Sequence, residues 1–197
     1  SMSKDKDTSK TGKVLYRRWG IFVMAAGFLA VSADAVAQQR PLVVSQSSDV
    51  LTLDPSKDTS PIGLNLFKNA YEQLTNIAVT GDVEPLIATS WAASPDSKVW
   101  TFKIRDGLKF HDGSPLSAED VAWTYQKILD DLKSPNRGFL RAIDSVEKVD
   151  DSTVRFNLNT PFSPFHRQVS LISVMPKKTY ESIGEEEFAK HPVGSGP

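Results

Sequence analysis

Residues 90–121, SWAASPDSKVWTFKIRDGLKFHDGSPLSAEDV, decide how this chain folds. Trp91 reads as a buried plug and residues 94–98 as a loop. From Val99 to Arg105, the apolar Trp100, Phe102 and Ile104 alternate with Thr101, Lys103 and Arg105. Successive side chains on a strand point to opposite faces, so this strand buries one face and wets the other. Asp106-Gly107 ends it, and Leu108 and Phe110 resume a shorter alternation. Asp112-Gly113 predicts a tight turn, because glycine accepts positive φ at little cost. Ser117 stands three residues before Asp120, the spacing of a reciprocal helix N-cap. Val121, Tyr125, Ile128, Leu129 and Leu132 then recur at helical spacing and predict one buried helix face.

Working outward, residues 41–46 (PLVVSQ) read as a first strand, and Leu53-Asp54-Pro55 leads into a polar loop at 56–60. Ser60-Pro61 fits N-cap plus N1, since proline lacks the donor that N1 would leave unpaired. Leu64, Phe67, Ala70, Tyr71 and Leu74 give the following helix an apolar stripe. Short strands are expected at 77–80 and 85–88 around Gly81-Asp82. Val154, Phe156 and Leu158 alternate with polar neighbours and predict pairing with 143–149 across Asp150-Asp151. Residues 161–192 mix short helices with prolines at 161, 164, 176 and 192, and residues 194–197 (GSGP) read as a loop or turn. The predicted class is α/β, in the sense of a mixed α+β chain with short helices on mixed sheets.

Little in the chain asks for catalysis. The histidines, His111, His166 and His191, are far apart, and no cysteine is present to complete a metal set. A structural reading therefore covers them, and neither a metal nor another cofactor is expected. No Gly-x-Ser-x-Gly elbow occurs. Gly194-Ser195-Gly196 is too short a glycine pattern to indicate a phosphate loop. Glu119-Asp120 falls in a helix first turn, where the helix dipole explains it. Trp91, Trp100, Phe102 and Phe110 fall on predicted buried faces, whereas Trp123 is out of step with its helix stripe. Phe139 follows a loop-like Ser134-Pro135-Asn136-Arg137-Gly138, where an aromatic either makes a contact or closes over the helix.

The first 37 residues have their own logic. Lys4, Lys6, Lys10, Lys13, Arg17 and Arg18 precede an uncharged apolar run at 19–31, and Ala35-Val36-Ala37 fits a small-x-small cleavage site. That is the layout of a secretory signal peptide, and the run is short of the roughly 20 residues a membrane span requires. Setting aside 1–37 leaves 17 basic and 21 acidic residues, a net charge of −4 that argues against a nucleic-acid partner. With no cysteine, the chain can form no disulfide and cannot be acylated as a lipoprotein.

Six elements carry a family resemblance. They are Leu53-Asp54-Pro55 with 70–74 (AYEQL); 84–91 (EPLIATSW); 94–97 (SPDS) with 101–107 (TFKIRDG); 110–121 (FHDGSPLSAEDV); 146–156 (VEKVDDSTVRF) with Pro161-Phe162; and 192–197 (PVGSGP). Together they resemble the extracellular solute-binding proteins of family 5, the peptide, nickel and opine receptors of ABC importers. The resemblance implies a periplasmic binding protein type II-like fold, present in part: 38–60 the start of a large lobe, 61–185 a small subdomain, 186–197 a return segment cut short. It implies a small solute or peptide as ligand and an ABC permease of the inner membrane as partner. A monomeric, soluble, non-enzymatic protein in the periplasm is expected. It further implies that Asp58, Thr59, Ser60 and Pro61 line one wall of a ligand cleft, and Asn136 and Phe139 the other, with Asp58 facing a ligand ammonium. The alternatives from other classes are a secreted hydrolase or metal-dependent enzyme using the three histidines, and a periplasmic chaperone-like module.

Overall fold

The computed structural model describes residues 52–197. The signal peptide read into 1–37 and the strand read at 41–46 lie outside the described residues.

Along the chain come α1 (Pro61–Ala70), β1 (Thr75–Ile77), β2 (Val83–Pro85), β3 (Ala88–Ala93), β4 (Val99–Ile104), α2 (Ala118–Asp130), a 3-10 helix (Pro135–Leu140), β5 (Ile143–Asp150) and β6 (Thr153–Leu158). Then follow α3 (Phe165–Gln168), a second 3-10 turn (Val169–Leu171), α4 (Lys177–Ile183) and α5 (Glu185–Phe188). β3, β4, β6 and β5 form an antiparallel sheet in that order, and β1 and β2 a separate hairpin.

The sheet forms as the alternation dictates. Trp100, Phe102 and Ile104 are buried on β4, and Val154, Phe156 and Leu158 face the same core from β6. Trp100 pairs with Phe156 and Phe102 with Val154. The β5–β6 hairpin turns at Asp150-Asp151, with Ser152 N–H donating to the Asp150 carboxylate at 2.9 Å. α2 lies over this face with Val121, Tyr125 and Ile128 buried. The Tyr125 ring meets Phe156 edge-on at 4.8 Å. Its start is the reciprocal cap expected: Ser117 Oγ accepts from Glu119 N–H, and the Asp120 carboxylate accepts from Ser117 N–H at 2.9 Å. A second cluster joins Phe67 and Tyr71 to Met175, Tyr180 and Phe188.

Several expectations shift. α2 stops at Asp130, because Asp131 turns extended and its carboxylate takes Lys133 N–H at 3.0 Å; Leu132 is therefore 79% exposed and off the stripe. α1 ends at Ala70, and Tyr71 and Leu74 are buried from the extended segment after it. Trp91, read as a buried plug, lies on edge strand β3 and is half-buried rather than core, while 94–98 form the loop expected. The small hairpin sits two residues earlier than expected on each side. Pro135–Leu140 is a 3-10 helix, not a loop.

Candidate functional site

The site builds from the buried Asp54. Its Oδ1 accepts from Ser56 N–H at 2.8 Å and Ser56 Oγ at 2.6 Å, and its Oδ2 from the Tyr180 hydroxyl at 2.6 Å. Burial, with the Asp54 carboxylate next, drives the Tyr180 hydroxyl far above the ordinary tyrosine pKa, so it stays a donor. Tyr71 OH donates to Leu53 O at 3.2 Å. The turn after Asp54 is thus held from α4 on one side and from the end of α1 on the other.

Lys57 ties the next residue down. Its Nζ lies 2.6 Å from Asp131 and 3.0 Å from Glu185, and Lys127 reaches Glu185 at 3.6 Å and lies over the Tyr180 ring. Partial burial works against the charge on Lys57, but its bonds to the two carboxylates outweigh this and raise its pKa. The same bonds lower Asp131 and Glu185 below the usual carboxylate range.

Asp58 is half-buried at the N-terminus of α1. It accepts from Ser60 N–H at 2.7 Å and Ser60 Oγ at 2.9 Å, while Ser60 Oγ caps Gly63 N–H at 3.0 Å. A Cβ on Gly63 would collide with the Asp58 carboxylate, so glycine there lets the acid sit on the helix turn. Thr59 is half-buried, and Ser60 and Pro61 are exposed.

The loop just ahead of Asp58 is joined to the segment around Asn136. Ser134 Oγ donates to Ser56 O at 2.6 Å, and Asn136 Nδ2 to Pro55 O at 2.9 Å, across 78 and 81 residues of chain. Asn136 is 2% exposed, so its amide serves this junction. Phe139 is half-buried and packs against the main cluster, while its carbonyl accepts from Gln168 Nε2 at 3.0 Å. Sequence reasoning missed Lys57, Ser134 and Tyr180. Their partners lie 74 to 128 positions away, and no local pattern marks them.

The His-Asp-Gly turn is absorbed by folding. His111 N–H donates to Gly194 O at 2.8 Å, and its ring Nε2 lies 2.6 Å from Gly196 O. Asp112 accepts from Ser114 and from Thr179 of α4. Gly196 N–H in turn donates to Ala70 O at 3.1 Å. A Cβ on Gly194 or Gly196 would overlap the backbone of residues 69–71, which explains both glycines by close approach. His166 stacks on Trp91 and Trp100 at 6.1 and 5.4 Å, and His191 pairs with Glu187 at 3.2 Å. The three histidines are therefore engaged in three separate places.

A family model for the bacterial extracellular solute-binding proteins, family 5 (middle), matches residues 82–197. The chain belongs to this family. Among curated relatives it is 31% identical to the probable D,D-dipeptide-binding periplasmic protein DdpA of Escherichia coli, over 84% of this chain and 34% of that one. It is 28% identical to the periplasmic oligopeptide-binding protein OppA of the same species, over 91% of this chain and 37% of that one. The solved oligopeptide-binding protein AppA of Bacillus subtilis, in complex with a nonapeptide, superposes with a TM-score of 0.69 at 28% identity, over 76% of this chain and 31% of that one. The chain thus spans about a third of the length of the relatives it matches. Its mixed α/β fold is the corresponding part of a periplasmic binding protein of type II. Family and relatives are binding proteins, which does not favour the enzyme or chaperone alternatives. No helix among the described residues is long and apolar enough to cross a membrane.

Proposed function

We propose that this chain is part of the periplasmic solute-binding component of an ABC importer, and that its solute is a short peptide handed to an inner-membrane permease. Residues 38–60 begin the large lobe, 61–185 form the small subdomain beside it, and 186–197 return toward the large lobe. The protein acts as a soluble monomer, exported by residues 1–37, and performs no chemistry. The observation that supports this reading is the junction of Pro55 and Ser56 with Ser134 and Asn136, which anchors the loop that leads into Asp58 through Pro61.

On that surface Asp58, Thr59, Ser60, Pro61, Asn136 and Phe139 serve the ligand in different ways. Asp58 spends two acceptor positions on Ser60, and an ionised carboxylate has about four, so two remain for a peptide ammonium. Asn136 holds the loop through Pro55 rather than touching solute. Phe139 offers the exposed part of its ring as an apolar wall. A solute receptor gains affinity by closing a cleft around its ligand, which excludes water and adds buried area. One wall alone holds a peptide weakly.

The test is an NMR titration of the 15N-labelled 197-residue chain with dialanine and with N-acetyl-dialanine. Millimolar, fast-exchange shifts at 58–61 and 137–140 with dialanine, weakened by acetylating its ammonium and by Asp58→Asn, are expected. Micromolar binding, or shifts confined to the solvent face of the sheet, would reject the reading.

A further inference from the structure

The chain turns outward where α2 ends. Asp131 is extended, and Leu132 after it is 79% exposed, a large aliphatic side chain given over to solvent. Lys133 is exposed beside it. The 3-10 helix that follows carries Arg137, and Arg141 stands just past its end; both are exposed. Among the described residues, none of these three cations pairs with a carboxylate. Of the acids nearest in sequence, Asp131 is engaged by Lys57 and Asp130 accepts from Gln126, while Asp144 on β5 is exposed. The two arginines are held in place. Arg137 Nε donates to Leu129 O at 2.9 Å, and Arg141 Nε to Gly138 O at 3.1 Å. Folding explains those bonds, because they cover carbonyls near helix ends. It does not explain the Nη hydrogens of the two forks, which have no acceptor among the described residues. Both arginines line a groove of about 360 Å³ whose other walls are Leu129, Gly138, Leu140 and Ile143.

A guanidinium fork presents parallel N–H donors that fit two oxygens of one oxyanion, and phosphate is a preferred match. A small free anion gains little from exposed cations, because water screens the pairing. The aliphatic walls and the protruding Leu132 match a hydrocarbon chain attached to the same anion. An apolar side chain among cations is also the pattern by which a protein rests on an anionic bilayer surface. We propose that the Arg137–Arg141 groove binds the phosphate headgroup of an anionic phospholipid, with Leu132 and Lys133 against the lipid surface beside it. The site goes beyond the solute-receptor reading and is separate from residues 58–61. It gives the chain a reversible hold on a bilayer, the surface in which a permease would sit.

The probe is dihexanoylphosphatidylglycerol, kept below its micelle concentration and titrated into the 15N-labelled 197-residue chain. Dihexanoylphosphatidylcholine supplies the same tails without net charge, and sn-glycerol 3-phosphate supplies phosphate without tails. Shifts are read residue by residue, so lipid contact at 1–37 registers apart from the groove. The expected result is shifts at 132–141 and at the Arg137 and Arg141 Nε–H signals, with tighter binding of phosphatidylglycerol than of either control. Arg141→Gln should weaken phosphatidylglycerol about two- to fivefold, the range of an exposed ion pair. Leu132→Ser, at a side chain already in solvent, keeps the fold and should weaken phosphatidylglycerol while leaving glycerol phosphate unchanged. No shifts at 132–141, or equal binding of the two lipids, overturns the proposal. Glycerol phosphate binding as tightly as the lipid would make the groove a site for a free oxyanion and reject the membrane. Tighter binding of an acidic peptide, N-acetyl-triglutamate amide, would assign the groove to a protein partner instead. Dialanine shifts at 58–61 with a silent groove reject the groove alone. Lipid shifts with a silent 58–61 loop uphold the groove and reject the peptide reading.

Discussion

Replacing Gly194 by alanine puts a methyl group into the backbone of α1. The added carbon would overlap the Ala70 carbonyl oxygen and press on the Tyr71 ring, and backbone cannot swing aside as a flexible side chain can. Relief requires the 193–196 segment to lift away. That movement breaks the bond from His111 N–H to Gly194 O at 2.8 Å, the contact of the His111 ring with Gly196 O at 2.6 Å, and the bond from Gly196 N–H to Ala70 O at 3.1 Å. Overpacking a tight site costs roughly 1–3 kcal/mol, and each net hydrogen bond about 1 kcal/mol. These overlap, since strain relieved by lifting is exchanged for bonds lost, so the expected loss is about 2–4 kcal/mol. Gly138→Ala is the control: nothing lies within 4 Å of its added carbon, and its φ is not in the positive range. That variant should be neutral or gain up to about 1 kcal/mol through the unfolded chain. Urea unfolding followed by tryptophan fluorescence reads both. A Gly194→Ala midpoint equal to that of the parent, or a Gly138→Ala loss as large, would refute the argument from close approach.

Removing the Tyr180 hydroxyl (Tyr180→Phe) deprives the fully buried Asp54 of one of three donors and should cost about 1–3 kcal/mol in urea unfolding; a loss under about 0.5 kcal/mol would mean the 2.6 Å bond contributes nothing. Asn136→Ala should cost about 1–3 kcal/mol and, unlike a general destabilisation, should speed amide exchange at 56–60 selectively, because the Pro55 carbonyl loses its tether. Lys57→Met should lose about 0.5–1 kcal/mol at low salt and less at high salt, since its ion pairs are partly exposed and screened. Asp131 and Glu185 have lowered pKa values. Their contribution is complete above the unfolded values of about 4 and disappears as pH falls through the lower folded values. Lys57 is raised, so its share persists below about 10.4 and is lost only as pH climbs through its higher folded value. Parent and Lys57→Met should therefore converge in stability as pH falls below the folded values of the two carboxylates and differ at pH 7; a constant gap would exclude the ion pairs as its cause.

Local physics made much of the fold legible. The alternation at 99–105 and 153–158 specified which faces of β4 and β6 are buried, because strand geometry sends neighbours to opposite sides. Ser117 with Asp120, and Ser60 with Pro61, marked helix starts, because capping acts within three residues. The family's motifs in order placed the chain among solute-binding proteins. Errors arose where a local pattern met a distant partner. Leu132 fits the α2 stripe, yet Asp131 turns the chain to reach Lys57 and the helix stops short. Trp91 fits a buried plug, yet it lies on an edge strand against His166 and stays half-exposed.

The candidate site divides along the same line. Sequence alone determined that 58–61 and 136–139 deserved scrutiny, and that His-Asp-Gly and Gly-x-Gly were weak as chemistry. Only the tertiary structure decided what those residues do. It joined 55–56 to 134–136, buried Asp54 under Tyr180, and pressed two glycines onto α1. It also set Arg137 and Arg141 along one groove. Caps and alternation are short-range and leave a trace in neighbouring letters. Hydrogen bonds spanning 78 to 126 positions, and a glycine required by a backbone over 120 positions away, depend on where the whole chain returns in space.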